Sequence, residues 1–321
     1  MTLAAPQVSV IIPCYEGEAF IADAIRSALD QQDVTLEVVV VDDASPDGSA
    51  SVVEGFLDTD HVRLLRRRRN GGIAAARNTG ICSAAGEYIA FLDQDDLWYP
   101  GRLSKAVKIL DNDKDIGLVF GNETTRSFAT GANETSRLRP PADINCRSRD
   151  AVLAALLQRN FIPTAASLVR RTCFNELGLL NESIRSGVDD FDLFVRIAGR
   201  YKILHIDELQ AVRRIHGRNY TRLQRMVPDM LEILETAAAA RPAVASVAGH
   251  ARGQYLYLLA KEQHLEGRYD EAIASYWRSV KAAPPNFVAL ATMLVCAFGP
   301  AGNVPLSILR KTNRWLRRRG S

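Results

Sequence analysis

Three short runs limit what this chain can fold into. Residues 8–13 read VSVIIP, 36–41 read LEVVVV and 87–92 read EYIAFL. Each is apolar at nearly every position and rich in β-branched or aromatic side chains, so both faces of the strand it forms must be buried. A strand with one wet face would alternate polar and apolar positions instead. Between the first two runs, residues 18–32 carry Phe20, Ile21, Ala24, Ile25, Ala28 and Leu29 at helical spacing. After the second come a turn at Ser45-Pro46-Asp47-Gly48, a helix to Leu57, a further strand over 62–65 and an alanine-rich helix opened by Asn70-Gly71-Gly72. Strands alternating with helices predict an α/β fold, a mostly parallel sheet flanked by helices. In such sheets, ligands bind beyond the carboxyl ends of the strands.

The pattern changes twice. Residues 121–150 are polar, carry Pro140-Pro141 and read as an irregular excursion. Order returns over 151–158 and in a strand-like 165–170. A helix is expected over 189–199, then two short strands over 201–206 and 210–215 before His216. Beyond about residue 225 the chain is helical and alanine-rich, so we divide it into domains 1–225 and 226–321. Residues 267–285, GRYDEAIASYWRSVKAAPP, place Gly267, Tyr269, Ala272, Tyr276 and Pro284 at the spacing of a tetratricopeptide repeat. A solenoid needs about three repeats, so a single helical hairpin packed on the first domain is expected, with a partner-docking surface as the alternative.

Several classes are excluded. The first residues lack a basic segment followed by an apolar run, so no secretory signal is read. No stretch reaches the ~20 apolar residues of a membrane helix. Five scattered cysteines without a CxxC pair suit a reducing, cytoplasmic compartment and argue against zinc. The formal charge of +3 gathers in six cations, Arg310, Lys311, Arg314, Arg317, Arg318 and Arg319. The rest of the chain is net acidic, which is not a nucleic-acid footprint. Together with Leu306, Leu309, Trp315 and Leu316, that tail is suited to lie on an anionic membrane surface as a peripheral contact, or else is a solvated or disordered basic end. Oligomeric state has no signature in the sequence.

Negative charge collects at strand ends. Asp93-Gln94-Asp95-Asp96 follows the third run and Asp42-Asp43 follows the second. Mg²⁺ and Mn²⁺ take oxygen ligands, commonly one or two carboxylates plus substrate phosphates. An Asp-x-Asp at a strand end therefore suits a metal and a ribose hydroxyl, or else a solvated turn. Asp42-Asp43 suits a base N–H or ribose hydroxyl, or else a helix cap. In RNGGIAAARNTGI, Gly71-Gly72 permits close backbone approach, the helix start favours anions, and Arg77 can reach a phosphate or an acidic neighbour.

Taken in order and spacing, VSVIIPCYE, VVVVDDASPDGS, NGGIAAARNTG and GEYIAFLDQDD resemble a family 2 glycosyltransferase of the GT-A fold over about residues 7–220. That resemblance implies an inverting enzyme using a nucleoside-diphosphate sugar, most often a UDP-sugar, and a divalent metal, Mn²⁺ or Mg²⁺. It implies that Pro13, Tyr15 and Glu16 line the nucleoside pocket, that Asp42 or Asp43 contacts the base, that Gly72 supports the nucleotide, and that Arg77 supports the nucleotide or the acidic loop. Asp93, beside Gln94, would meet the ribose, sugar or metal, and Asp95 would ligate the metal. The family's acidic pair before a helix reads Val188-Asp189-Asp190-Phe191-Asp192-Leu193 here, with Asp189 in place of the commoner glutamate. Asp190 takes the position of the catalytic base. RRIHGRN resembles the family's R-x-H-x-x-N segment and makes His216 a late metal or diphosphate ligand. The implied acceptor is a glycan or lipid-linked hydroxyl in surface-polysaccharide assembly. A dinucleotide oxidoreductase is disfavoured because GxGxxG is missing after the first strand. A nucleotidyltransferase would lack the Asp189-Asp190 and His216 set, and a non-catalytic scaffold would not need it.

Overall fold

The computed structural model describes residues 5–58, 61–128, 130–135, 139–216 and 223–282, with positions 290, 292 and 293. It comprises two compact units, Met1–Tyr220 and Thr221–Ser321.

The first unit runs β1 (Val8–Cys14), α1 (Ile21–Leu29), β2 (Leu36–Asp42), α2 (Ser49–Glu54), β3 (Val62–Arg66), α3 (Ile73–Ser83) and β4 (Tyr88–Phe91). It continues with β5 (Leu97–Trp98), α4 (Arg102–Asn112), β6 (Ile116–Ser127), β7 (Asn133–Thr135), α5 (Arg149–Gln158), β8 (Ser167–Arg170), α6 (Thr172–Leu177), α7 (Asp189–Arg200) and β9 (Lys202–Ile215). The order across the sheet is β3-β2-β1-β4-β8-β6-β9-β5, with β7 paired to β6. β1 to β4 are parallel and every residue of β1, β2 and β4 is buried, as continuous apolar runs require. α1 turns Ile21, Ala24, Ile25 and Ala28 inward at the spacing of one helical face.

Two expectations need correction. The segment after residue 121 is not irregular at first, since β6 runs to Ser127 alongside β9. The two short strands read before His216 are one strand, Lys202–Ile215. Polar residues broke the hydropathy pattern in both, buried in the pairing at Asn122-Glu123-Thr124 of β6 and exposed at Asp207-Glu208 of β9. Asn122 donates to Asp207 Oδ1 at 2.8 Å and meets His205 Nε2 at 3.0 Å. The register shifts between Phe120 and Glu123 absorb the polar interruption as a bulge. β8 lies antiparallel between β4 and β6, which makes the sheet mixed. The parallel order still sets the rim. The carboxyl ends of β1, β2 and β4 deliver the segments after Cys14, Asp42 and Phe91, and β9, antiparallel to β5, returns His216 beside Asp95.

The second unit contains α8 (Leu223–Ala240), α9 (Ala245–Leu265) and α10 (Tyr269–Ala282). α9 and α10 form a hairpin around Ala260, Ala272 and Tyr276, and Ser279 donates to the Gly253 carbonyl at 2.7 Å. The small Ser279 thus lets the helices approach. Pro284 and the basic tail over 306–319, with its expected membrane contact, lie outside the described residues. No helix among the described residues is long and apolar enough to cross a membrane.

Candidate active site

The turn after β1 is clipped to the acidic loop after β4. Tyr15 N donates to Gln94 Oε1 and Gln94 Nε2 donates to Tyr15 O, both at 2.9 Å. The clip needs a glycine beside it, because a Cβ on Gly17 would lie 2.2 Å from Gln94 Oε1. Gly17 N and Glu16 N donate to Ser49 and Ser45, tying the same turn to the segment after β2. Tyr15 is exposed and Glu16 has a positive φ of 54°. Pro13 is a buried strand residue opposite Val41.

At the end of β2, Asp42 accepts Ser45 N at 3.1 Å and closes the turn. Asp43 is buried and accepts Arg67 Nη1 at 2.8 Å, Gly72 N at 2.8 Å and Gly71 N at 3.0 Å. Gly72 has φ 86°, and a Cβ there would lie 2.9 Å from Arg185 Nη1, so Arg185 lies over this turn.

Arg77 is the hub. It is 3% exposed, stacks 5.5 Å over Phe91, and donates to Asp93 Oδ1 at 2.7 Å and Asp189 Oδ2 at 2.9 Å. Burial opposes its charge, but Asp93, Asp189 and Asp190 outweigh that and hold the guanidinium above its ordinary value. Asp189 is fully buried, and its Oδ1 makes no hydrogen bond. One turn of α7 thus fixes Asp190 beside the arginine that fixes Asp93. Asp190 accepts Phe191 N at 2.6 Å and the Thr164 hydroxyl. Burial and the neighbouring Asp189 push its carboxyl up to about 6, against the pull of Arg77 and these donors.

On the other side of the loop, His216 Nε2 lies 2.8 Å from Asp95 Oδ2, and its ring stacks on Phe20 at 4.6 Å. Burial and Asp93 raise the Asp95 carboxyl above its usual range, with His216 opposing. Burial, Asp93 and Asp95 raise Asp96 well above its own, and Arg214 N donates to it at 3.1 Å. Among the described residues no cluster of three His, Cys, Asp or Glu is gathered to hold a metal. Asp93 faces Arg77, leaving Asp95 and His216 as the adjacent pair. A hard cation fits that pair, because a carboxylate raised by burial and like charge is relieved by positive charge, and phosphate oxygens commonly complete such sites.

Sequence reading missed Thr164, Arg67 and Arg185. Thr164 meets Asp190 from 26 residues away, and its surroundings, FIPTAASLVR, carry no motif. The Arg66–Arg69 run was the available signal for Arg67.

The sequence profile of glycosyl transferase family 2 matches residues 9–178, which contain the turns, the acidic loop and Arg77. This chain belongs to that family. Among its relatives, the family 2 chain is 32% identical over 287 residues to the succinoglycan biosynthesis protein ExoU of Rhizobium meliloti, covering 84% of this chain and 79% of that protein. It is 32% identical over 205 residues to an uncharacterized glycosyltransferase of Rickettsia felis, covering 63% of this chain and 33% of that protein. It therefore spans about a third of that relative's length. The fold is similar to S. aureus TarS 1–349 solved with UDP, at TM-score 0.62 and 18% identity, covering 98% and 92% of the two chains. It is also similar to the mannosyltransferase PcManGT of Pyrobaculum calidifontis, solved with GDP-Man and Mn²⁺, at TM-score 0.60 and 23% identity, covering 96% and 85%. The GT-A architecture of this family 2 chain, a helix-flanked α/β sheet followed by helices, agrees with both.

Proposed function

We propose that this family 2 chain is an inverting glycosyltransferase. It would move a sugar from a nucleoside-diphosphate sugar, in the first instance a UDP-sugar, to a hydroxyl of a glycan or lipid-linked acceptor in surface-polysaccharide assembly. The observation that carries this reading is the pair of ion pairs made by Arg77. One guanidinium joins the Asp93 loop to the Asp189-Asp190 helix start, so the donor end and the proton acceptor share a rigid support.

Asp190 removes the acceptor hydroxyl's proton as that oxygen attacks the anomeric carbon from the face opposite the leaving diphosphate. Pushed up to about 6 by burial and Asp189, its carboxyl is ionised at neutral pH yet basic enough to accept the proton. The N-terminus of α7 favours the carboxylate before transfer. Asp93, fixed by Arg77, orients the ribose or sugar, and the exposed Tyr15 covers the base. Asp95 and His216 would hold Mn²⁺ or Mg²⁺, which when bound neutralises charge developing on the departing diphosphate. The UDP complex of TarS and the GDP-Man and Mn²⁺ complex of PcManGT support a nucleotide donor and a divalent metal here by analogy of fold. ExoU, named for succinoglycan biosynthesis, supports a polysaccharide acceptor. The hairpin of α9 and α10 is the segment we assign as tetratricopeptide-like.

Calorimetric titration with UDP, GDP and dTDP, each with Mn²⁺ and with EDTA, tests the reading. Binding of one nucleotide is expected to be at least about tenfold tighter with metal, and Asp95→Ala is expected to abolish that difference. Equal affinity with and without metal in the wild type would remove the metal site. Binding of none by folded protein would remove the donor assignment.

A further inference from the structure

Thr164 opens a short 3-10 turn, Thr164–Ala166, ahead of β8. A threonine at such a place commonly bonds the backbone of its own turn. This one turns away to another element, its hydroxyl donating to Asp190 Oδ2 on α7. The turn beneath it is held from several sides. The Trp98 indole donates to Ala165 O at 2.6 Å and the Ser167 hydroxyl to Thr164 O at 2.8 Å. Arg102 stacks 4.2 Å over Trp98 and donates to Ser167 O at 2.9 Å. Trp98 follows Asp96 by two residues, so the segment carrying the acidic loop also fastens the turn carrying Thr164.

We infer that Thr164 is the positioning residue for Asp190, orienting its carboxylate and favouring the ionised form, an inference that rests on Asp190 being the base. A hydroxyl can donate one proton, and a carboxylate oxygen only accepts, so this contact favours the charged carboxylate over the neutral acid. The other charged groups that face Asp190 are Asp189 on its own helix, which opposes ionisation, and Arg77 on α3, which favours it. With Phe191 N holding Oδ1 and Thr164 holding Oδ2, the plane of the carboxylate is fixed at both oxygens. The remaining lone pairs are then aimed at one place for the acceptor hydroxyl.

Carbon-13 NMR of aspartate-carboxyl-labelled protein tests this without requiring an identified acceptor. Asp190→Asn assigns the resonance. The titration midpoint is expected near 6 in the wild type and in Thr164→Ser, and about one pH unit higher in Thr164→Val and Thr164→Ala. Two donor-less variants of different size separate loss of the hydroxyl from a packing defect. An unchanged midpoint in both, or a shift in the serine variant as large as in the valine variant, overturns the inference. Once a transfer assay exists, the acid limb of kcat/KM is expected to move with the NMR midpoint. If the midpoint moves and the acid limb does not, Asp190 loses its role as base while Thr164's hold on the carboxyl stands.

Discussion

The two acidic strand ends look alike in sequence and differ in how their charge is balanced. After β2, Asp43 is surrounded by donors the protein supplies itself, Arg67 and the backbone N–H groups of Gly71 and Gly72. After β4, three aspartates within four residues share Arg77, Arg214 N and His216, and burial with mutual repulsion still raises Asp95 and Asp96. At the first end Asp43 is satisfied without a ligand. The second retains excess negative charge, as a site does when its counter-charge arrives with a substrate. Counting donors, rather than acids, separates a turn that is locked from a loop that is poised.

A third pair, Asp189-Asp190, divides the same two roles between adjacent residues, and the largest effect is expected there. Asp190→Asn should lower the transfer rate about 10³-fold while leaving donor affinity within about twofold, read by single-turnover kinetics beside calorimetry. Unchanged turnover removes the base. In the wild type, kcat/KM should rise with pH through about 6. Stability runs the other way. The carboxyl is raised in the folded state, so the folded chain binds more protons than the unfolded one between about 4 and 6. Folding therefore weakens as pH rises through that window, and Asp190→Asn should make the slope shallower in urea titrations, leaving the share of the raised Asp95 and Asp96.

Arg77→Met tests the locked member of that pair. It leaves Asp189 fully buried without its partner and releases Asp93 and its loop from α3. Breaking a buried pair costs several kcal/mol, and Asp93 is partly exposed, so a loss of about 3 kcal/mol is expected in denaturant unfolding. A loss below about 1 kcal/mol would mean that Arg77 is not the support joining the two acidic segments.

The parallel half of the sheet was legible because buried strands are continuous runs of β-branched residues, and Val8–Cys14 and Leu36–Asp42 are such runs. The length of β6 was not, because Asn122, Glu123 and Thr124 are buried polar residues that a hydropathy reading treats as loop, and β9 was legible only as two short strands. At the site, Asp93, Asp95, Asp190 and His216 were visible as motifs at strand and helix ends. What no local pattern could give was their partners. Arg77 reaches Asp189 across 112 residues, and Thr164 reaches Asp190 from a segment without a motif.

The smallest effect is the sharpest test of the contrast between the two strand ends. A carboxylate offers about four acceptor sites, and those of Asp43 are occupied, Oδ1 by Arg67 Nη1 and Gly71 N, Oδ2 by Gly72 N with Gly71 N shared. Asp42 accepts Ser45 N at Oδ1, which leaves its Oδ2 the freer acceptor for a base N–H. Asp43→Asn should therefore cost about 1 kcal/mol of stability, through the weakened Arg67 pair and one lost backbone acceptor, with nucleotide affinity within about twofold. Asp42→Asn should weaken nucleotide binding by about 1 kcal/mol, or roughly fivefold, with little change in unfolding. Calorimetry and urea unfolding of the two variants side by side read both quantities. A tenfold loss of affinity in Asp43→Asn at unchanged stability would mean that Asp43 meets the nucleotide directly, and that its donors in the free protein give way when the nucleotide binds.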